Sequence, residues 1–245
     1  MSPPPRNAWT EFAIQTVPQA FPDWYDRLAR VVFAPVHAEM AQRVAARTPG
    51  LVLDHGTGTG RLALHVARTC PDAEVHGVDV SDHVLMRAEK LVQEQRLPKS
   101  VTLRLLEDER WPFSTRTYDV IVSAFVLHCE RRLPTMLFPR LRAGGRLYLA
   151  EAVSDVAWPV HEVAKALDLQ GLAPRWLPRR LLQGAVRRAH GQLPGRAEID
   201  AAVRESPFGR IHEEQDLDLV IRETRIAGAV RLVELHSAEV ISHPE

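Results

Sequence analysis

Between Leu51 and Glu151 the chain alternates short apolar runs with amphipathic stretches. Leu51 to Asp54, Glu74 to Asp79, Val101 to Leu106, Tyr118 to Ser123 and Arg146 to Glu151 have strand length and strand composition. Runs that are apolar at nearly every position predict strands covered on both faces. The amphipathic stretches between them predict crossover helices, so the pattern is that of a parallel sheet. Ahead of the first strand, Pro22 to Phe33 and Pro35 to Arg47 predict two helices. In the second, Val36, Met40 and Val44 recur every fourth residue and make one apolar stripe, which Pro49-Gly50 ends. Ser81-Asp82 predicts the N-cap of a helix carrying Leu85, Ala88, Leu91 and Val92, and Ala143-Gly144-Gly145 predicts a break before the fifth strand.

After Glu151 the alternation lapses. Residues from about 155 to 196 predict irregular helices separated by Pro159, Pro174, Pro178 and Pro194, which marks an insertion. A helix over Ala197 to Arg204 follows, then two apolar runs, Leu217 to Ile226 and Val230 to Val240. Ala227-Gly228-Ala229 divides them, as in a hairpin closing the sheet edge. The expected fold is α/β: a Rossmann-like, doubly wound, seven-stranded, mostly parallel sheet with an antiparallel edge hairpin, N-terminal helices and a helical lid insertion. Residues 1–50 are expected to form helices capping the substrate and 51–245 the main domain, with the insertion at about 155–196.

Composition narrows the class. With 245 residues, 45% hydrophobic and 25% charged, the chain can bury a full core and is neither disordered nor collagenous. Thirty-one basic residues balance 31 acidic ones, so no overall field draws it to nucleic acid or an anionic membrane. Only Lys90, Lys99 and Lys165 are lysines, an arginine excess that coding bias explains as well as function does. Cys70 and Cys129 are too few for a disulfide framework or a cysteine zinc site. No metal is expected, and two cysteines fit a cytoplasmic protein. No apolar stretch reaches membrane-spanning length, and Met1-Ser-Pro-Pro-Pro-Arg6 lacks the apolar region of a secretion signal, so no integral membrane contact is expected.

The first strand ends at Asp54 and runs into Gly56-x-Gly58-x-Gly60 just before a helix. Glycines at such a junction let the backbone turn sharply and let a ligand approach main-chain atoms. Counted from Gly58, the loop also satisfies the looser dinucleotide spacing through Ala63. A nicotinamide-dependent oxidoreductase is therefore one alternative, although none of Tyr25, Tyr118 and Tyr148 is followed by Lys four positions later.

Asp54, Gly56, Gly58 and Gly60 resemble, position by position, the Asp-x-Gly-x-Gly-x-Gly motif of class I S-adenosylmethionine-dependent methyltransferases. Asp79, 19 residues after Gly60, is similar to the family's acidic residue that accepts hydrogen bonds from the ribose hydroxyls, with Val80 beside it. Glu107-Asp108 before Trp111-Pro-Phe113 resembles the acidic segment at the adenine, although the family usually has Asp followed by a small residue. Tyr118 to Ser123 and Leu141 to Leu147 continue the ordered set, and Ser123 joins the residues expected at the cofactor. The resemblance implies S-adenosylmethionine as cofactor, with in-line displacement of its methyl by an oxygen, nitrogen or carbon nucleophile of a small molecule. A silent cofactor-binding protein acting through a partner is the other alternative. His55, where the family commonly has an aliphatic residue, is expected to be packed rather than chemical.

Chemistry beyond positioning would fall to a base at the carboxyl ends of the strands. His128, five residues past Ser123, is the first candidate, with His161 and Glu151 behind it. Arg175, Arg179, Arg180, Arg187, Arg188 and Arg196 fall in a stretch without an acidic residue. Such a stretch suits either an anionic or carrier-bound substrate or an ordinary solvated helix face. Trp9, Phe12, Trp24, Tyr25 and Phe33 are candidates to close over an apolar or planar substrate or to fill the core. DNA is disfavoured: Ser123-Ala-Phe-Val126 stands where amino-directed DNA methyltransferases resemble one another in Asp/Asn-Pro-Pro-aromatic, and no Pro-Cys pair occurs. Arsenite methylation would need more cysteines than two.

Overall fold

The computed structural model describes residues 23, 26–27, 29–95, 100–107, 110–113, 117–172, 178–191, 193–221 and 224–237. A wide helical turn, Ala29–Phe33, leads into α1 (Ala34–Ala45), where Pro35 sits in the first turn and its missing N–H costs no hydrogen bond. There follow β1 (Leu51–His55), α2 (Arg61–Thr69), β2 (Glu74–Asp79), α3 (Asp82–Glu94), β3 (Val101–Leu105) and β4 (Tyr118–Ala124). The second half supplies α4 (Leu133–Leu137), β5 (Leu141–Ala152), α5 (Val160–Leu169), α6 (Arg179–His190), α7 (Arg196–Arg204), β6 (Glu213–Ile221) and β7 (Thr224–His236). The seven strands lie in the order β3-β2-β1-β4-β5-β7-β6, with β1 to β5 parallel and β7 antiparallel to both neighbours.

Both faces of the sheet are covered, which is why the central strands β1 and β4 are apolar at most positions. On one face Val52, Val75, Val122, Tyr148 and Leu232 join a core with α1, α2, α3, α5 and α6. On the other, Leu53, Ile121, Leu147 and Val233 pack with Leu133 and Leu137 of α4 and Ile199 and Val203 of α7. Each fully buried aliphatic side chain contributes about 1.5–3 kcal/mol. The apolar stripe of α1, Val36, Met40 and Val44, is buried in the first of these cores, so α1 packs directly on the sheet.

Two expectations are corrected. The hairpin does not turn at Ala227-Gly228-Ala229: β7 runs through them, and the β6–β7 pairing extends to Ile221↔Thr224. Gly228, at φ 60°, makes a bulge instead; its N–H donates to Asp218 Oδ1 (2.8 Å), and pairing passes from Leu217↔Val230 to Leu219↔Ile226. The fifth strand starts at Leu141 rather than Arg146, because Gly144 at φ 71° lets the chain bulge and keep pairing with β4. Ser81 occupies the N-cap of α3 as expected; its hydroxyl makes no cap bond, and its N–H donates to Asp79 Oδ1 (3.0 Å). In the expected insertion, α5 and α6 pack on the core through Val163, Leu182 and Val186. Trp9, Phe12, Trp24, Tyr25, Pro174, Arg175 and the end of the run to Val240 lie outside the described residues.

Candidate active site

The loop after β1 lies beside the point where the strand order reverses between β1 and β4, where open α/β sheets bind ligands. The N–H groups of Gly56 and Thr57 both donate to Val78 O (2.8 and 2.9 Å), tying the loop to β2. Gly56, Gly58 and Gly60 have φ of 70°, 54° and 76°, a region that side chains other than glycine rarely enter. A Cβ on Gly56 would lie 2.3 Å from Val126 Cγ2. Asp54 is buried and accepts from Thr57 Oγ1 (2.7 Å) and Ala63 N (2.9 Å), so it braces the loop against α2. Burial drives its carboxyl up to about 7 in spite of those two donors.

Asp79 accepts from Gly58 N (2.8 Å) through one oxygen and from Ser81 N through the other. Burial raises its carboxyl, and these backbone donors oppose the rise. An ionised carboxylate has about four acceptor sites, so Asp79 retains capacity for a ligand diol. Val80 follows it and is 73% exposed, an apolar side chain left open at the end of β2. Glu107, also exposed, lies just past β3 and pairs backbone with Arg110; Asp108 is outside the described residues. Ser123 is buried and donates to His55 O (2.8 Å), joining the ends of β4 and β1 rather than lining the cleft. His55 is packed as expected, and burial lowers its imidazole to about 4.

A cleft open to solvent, enclosing about 30 Å³, lies over the loop. Asp54, Gly56 to Thr59, Arg61 and Leu62 form one wall, Ala124 and Phe125 another, and Ala29, Phe33 and His37 the N-terminal side. Phe125 is a non-glycine residue at φ 60°, strain of about 1–3 kcal/mol that its setting over-determines. It stacks on Phe33 with ring centroids 4.1 Å apart and donates its N–H to Ala150 O. Arg61 holds Asp26 through two bonds (2.6 and 2.8 Å), and Arg87 of α3 adds a third (3.1 Å). Burial alone would raise the Asp26 carboxyl, but these guanidiniums hold it below the usual range. Asp26, His37 and Phe125 escaped sequence reasoning. Phe125 had a signal, the aromatic directly after β4; Asp26 and His37 had none.

His128 follows β4 and pairs with buried Glu151: its Nδ1 lies 3.0 Å from Oε1, and its N–H donates to Oε2 (3.1 Å). Burial pulls the imidazole down, yet the Glu151 carboxylate and a bond with Cys129 push it up to about 10. At neutral pH His128 is therefore a charged donor and not a free base. His161 lies exposed on α5, with its Nδ1 bonded by Gln183 of α6 (2.8 Å), and is not part of the cleft lining.

The arrangement fits S-adenosylmethionine: glycines that a Cβ would block, a carboxylate with spare acceptor capacity, and an open apolar residue beside it. Residues 52–144 match a family model described as a methyltransferase domain. A ubiquinone/menaquinone biosynthesis C-methyltransferase of Syntrophotalea carbinolica is 36% identical over 115 residues, 45% of this chain and 47% of that protein. A trans-aconitate 2-methyltransferase of Methylobacterium radiotolerans is 31% identical over 137 residues, 55% of this chain and 50% of its own. The chain thus spans about half the length of the curated relatives it matches. Among solved structures, the plantazolicin methyltransferase BpumL, in complex with a triazolic desmethyl analogue and SAH, superposes with a TM-score of 0.67 at 13% identity. That match covers 94% of this chain and 96% of the other, a likeness of fold. The fold is that of the class I S-adenosylmethionine-dependent methyltransferases.

Proposed function

We propose that the protein transfers the methyl group of S-adenosylmethionine to a small-molecule acceptor with an oxygen, nitrogen or carbon nucleophile. The observation that carries this reading is the left-handed Gly56 to Gly60 loop, bonded to Asp79 and opening onto an aromatic-walled cleft. Bound there, S-adenosylmethionine supplies a sulfonium methyl open to in-line displacement. Asp54, Gly56, Gly58 and Gly60 shape the loop, while Asp79, Val80, Glu107 and Asp108 form the adenosine side. Ser123 fixes the strand ends between them. Phe33 and Phe125 exclude water from the acceptor side. Such positioning supplies about 7–11 kcal/mol of a two-reactant barrier.

His128, held charged by Glu151, acts in this reading as a donor toward the acceptor; His161 is left in the helix pair. His128→Ala is expected to lower turnover far more than cofactor affinity, and equal turnover would remove the assignment. The two relatives are named for quinone biosynthesis and for trans-aconitate, which supports a small-molecule acceptor. Exposed Arg180 and Arg187 on α6 support an anionic or carrier-bound tail on it, whereas Arg196 is engaged by Asp155 and Asp216. A count of two cysteines in 245 residues supports a cytoplasmic setting.

The test is calorimetric titration with S-adenosylmethionine, S-adenosylhomocysteine and NAD, on the protein and on Asp79→Ala. Both sulfur compounds should bind and NAD should not. The variant should lose about tenfold or more, the worth of one charge-assisted hydrogen bond. Folded protein that binds neither sulfur compound would overturn the reading.

A further inference from the structure

His37 is a polar side chain in the cleft that the cofactor reading leaves without a task. It lies on α1, is 7% exposed, and lines the cleft opposite the glycine loop. Its Nδ1 is buried and has no hydrogen-bond partner among the described residues. Buried nitrogens are nearly always bonded, so an unpartnered one on a residue that lines a cleft points to a partner that a ligand would supply. Two charged neighbours in the cleft are already engaged: Asp54 by Thr57 and Ala63, and Arg61 by Asp26. The groups facing His37 from α2 are His65, with ring centroids 6.3 Å apart, and Arg61. Burial and these two neighbours lower the imidazole to about 3, so it remains neutral at physiological pH.

The apolar surroundings narrow what the partner is. The His37 ring lies 6.2 Å from Phe33, tilted by 51°, and Phe33 in turn stacks on Phe125 at 27°. Three rings thus border the cleft, His37 and Phe33 from the N-terminal side and Phe125 from the wall after β4, and aromatic rings favour a flat occupant.

We propose that His37 contacts the acceptor: its unpartnered Nδ1 hydrogen-bonds the polar atom of a planar, uncharged reacting group seated beside Phe33 and Phe125. This rests on the methyltransferase reading and adds the chemistry of the acceptor's reacting end and the residue that selects it. A neutral imidazole here can exchange a hydrogen bond with a ring hydroxyl or amine. A bulky or charged reacting group would leave that bond unmade.

The test uses the full chain saturated with S-adenosylhomocysteine and two fluorescent probes, 2-naphthol and naphthalene. Wild type should bind 2-naphthol about tenfold more tightly than naphthalene, the worth of one hydrogen bond. His37→Phe should lose that preference with unchanged naphthalene binding. His37→Asn, which keeps a polar atom near the Nδ1 position, should retain most of it. Cofactor-product affinity should stay within about twofold throughout. In wild type labelled with 15N-histidine, 2-naphthol should move the nitrogen signals of one histidine and naphthalene should not, a readout that needs no variant to fold. An unchanged preference in His37→Phe, equal binding of the two probes by wild type, or no probe binding would overturn the proposal. A parallel fall in S-adenosylhomocysteine affinity would assign His37 to the cofactor instead. Failure of wild type to bind S-adenosylhomocysteine would overturn the methyltransferase reading itself, and this proposal with it.

Discussion

Gly56 shows how much one missing atom determines. Its φ of 70° and the 2.3 Å approach of a would-be Cβ to Val126 mean that Gly56→Ala must strain the backbone and displace the segment after β4. We expect a loss of about 1–3 kcal/mol in urea unfolding, with weakened binding of S-adenosylhomocysteine by calorimetry. That glycine was legible because the motif is local. The state of His128 was not, because the cause, Glu151, lies 23 positions away on another strand. A histidine whose folded value is raised stabilises fully below its ordinary value of 6.5 and loses that contribution as pH rises through about 10. Glu151→Gln should therefore destabilise most near pH 6 in urea titrations, and the gap from wild type should narrow toward pH 10. NMR should show the variant's His128 titrating nearer the ordinary histidine range.

At the scale of elements, the N-terminal segment is pinned to the cofactor loop by Asp26, which joins Arg61 at the start of α2 to Arg87 on α3. Asp26→Asn should cost about 1–3 kcal/mol, since the hydrogen bonds lost are charge-assisted and the carboxylate is buried. A depressed carboxyl stabilises above its ordinary value of 3.8 and loses that contribution as pH falls through the lower folded value. The difference between variant and wild type should therefore vanish in strong acid, as unfolding curves from pH 6 downward would show. Nothing in the sequence near Asp26 announces this contact, because its partners are 35 and 61 residues away. The strands, by contrast, were readable from local apolar runs. The glycines at 144 and 228 misled, since a left-handed glycine can end a strand or bulge it, and only the neighbouring strand decides which.

For the whole molecule, a ligand that binds the folded chain alone raises its stability by mass action. S-adenosylhomocysteine at a hundred times its Kd should add about 2.7 kcal/mol and raise Tm by about 5–11 °C in a chain of this size, while NAD should leave Tm unchanged in thermal melts. The sequence by itself determined the parallel sheet, the glycine loop and the position of Asp79. Each of these is written in short-range spacing and periodicity. The tertiary structure alone decided the extent of the hairpin's pairing, the Asp26 bracket, the protonation of His128 and the unpartnered nitrogen of His37. Those depend on which distant residues burial brings within hydrogen-bond or Coulomb range, and that distance has no signature along the chain.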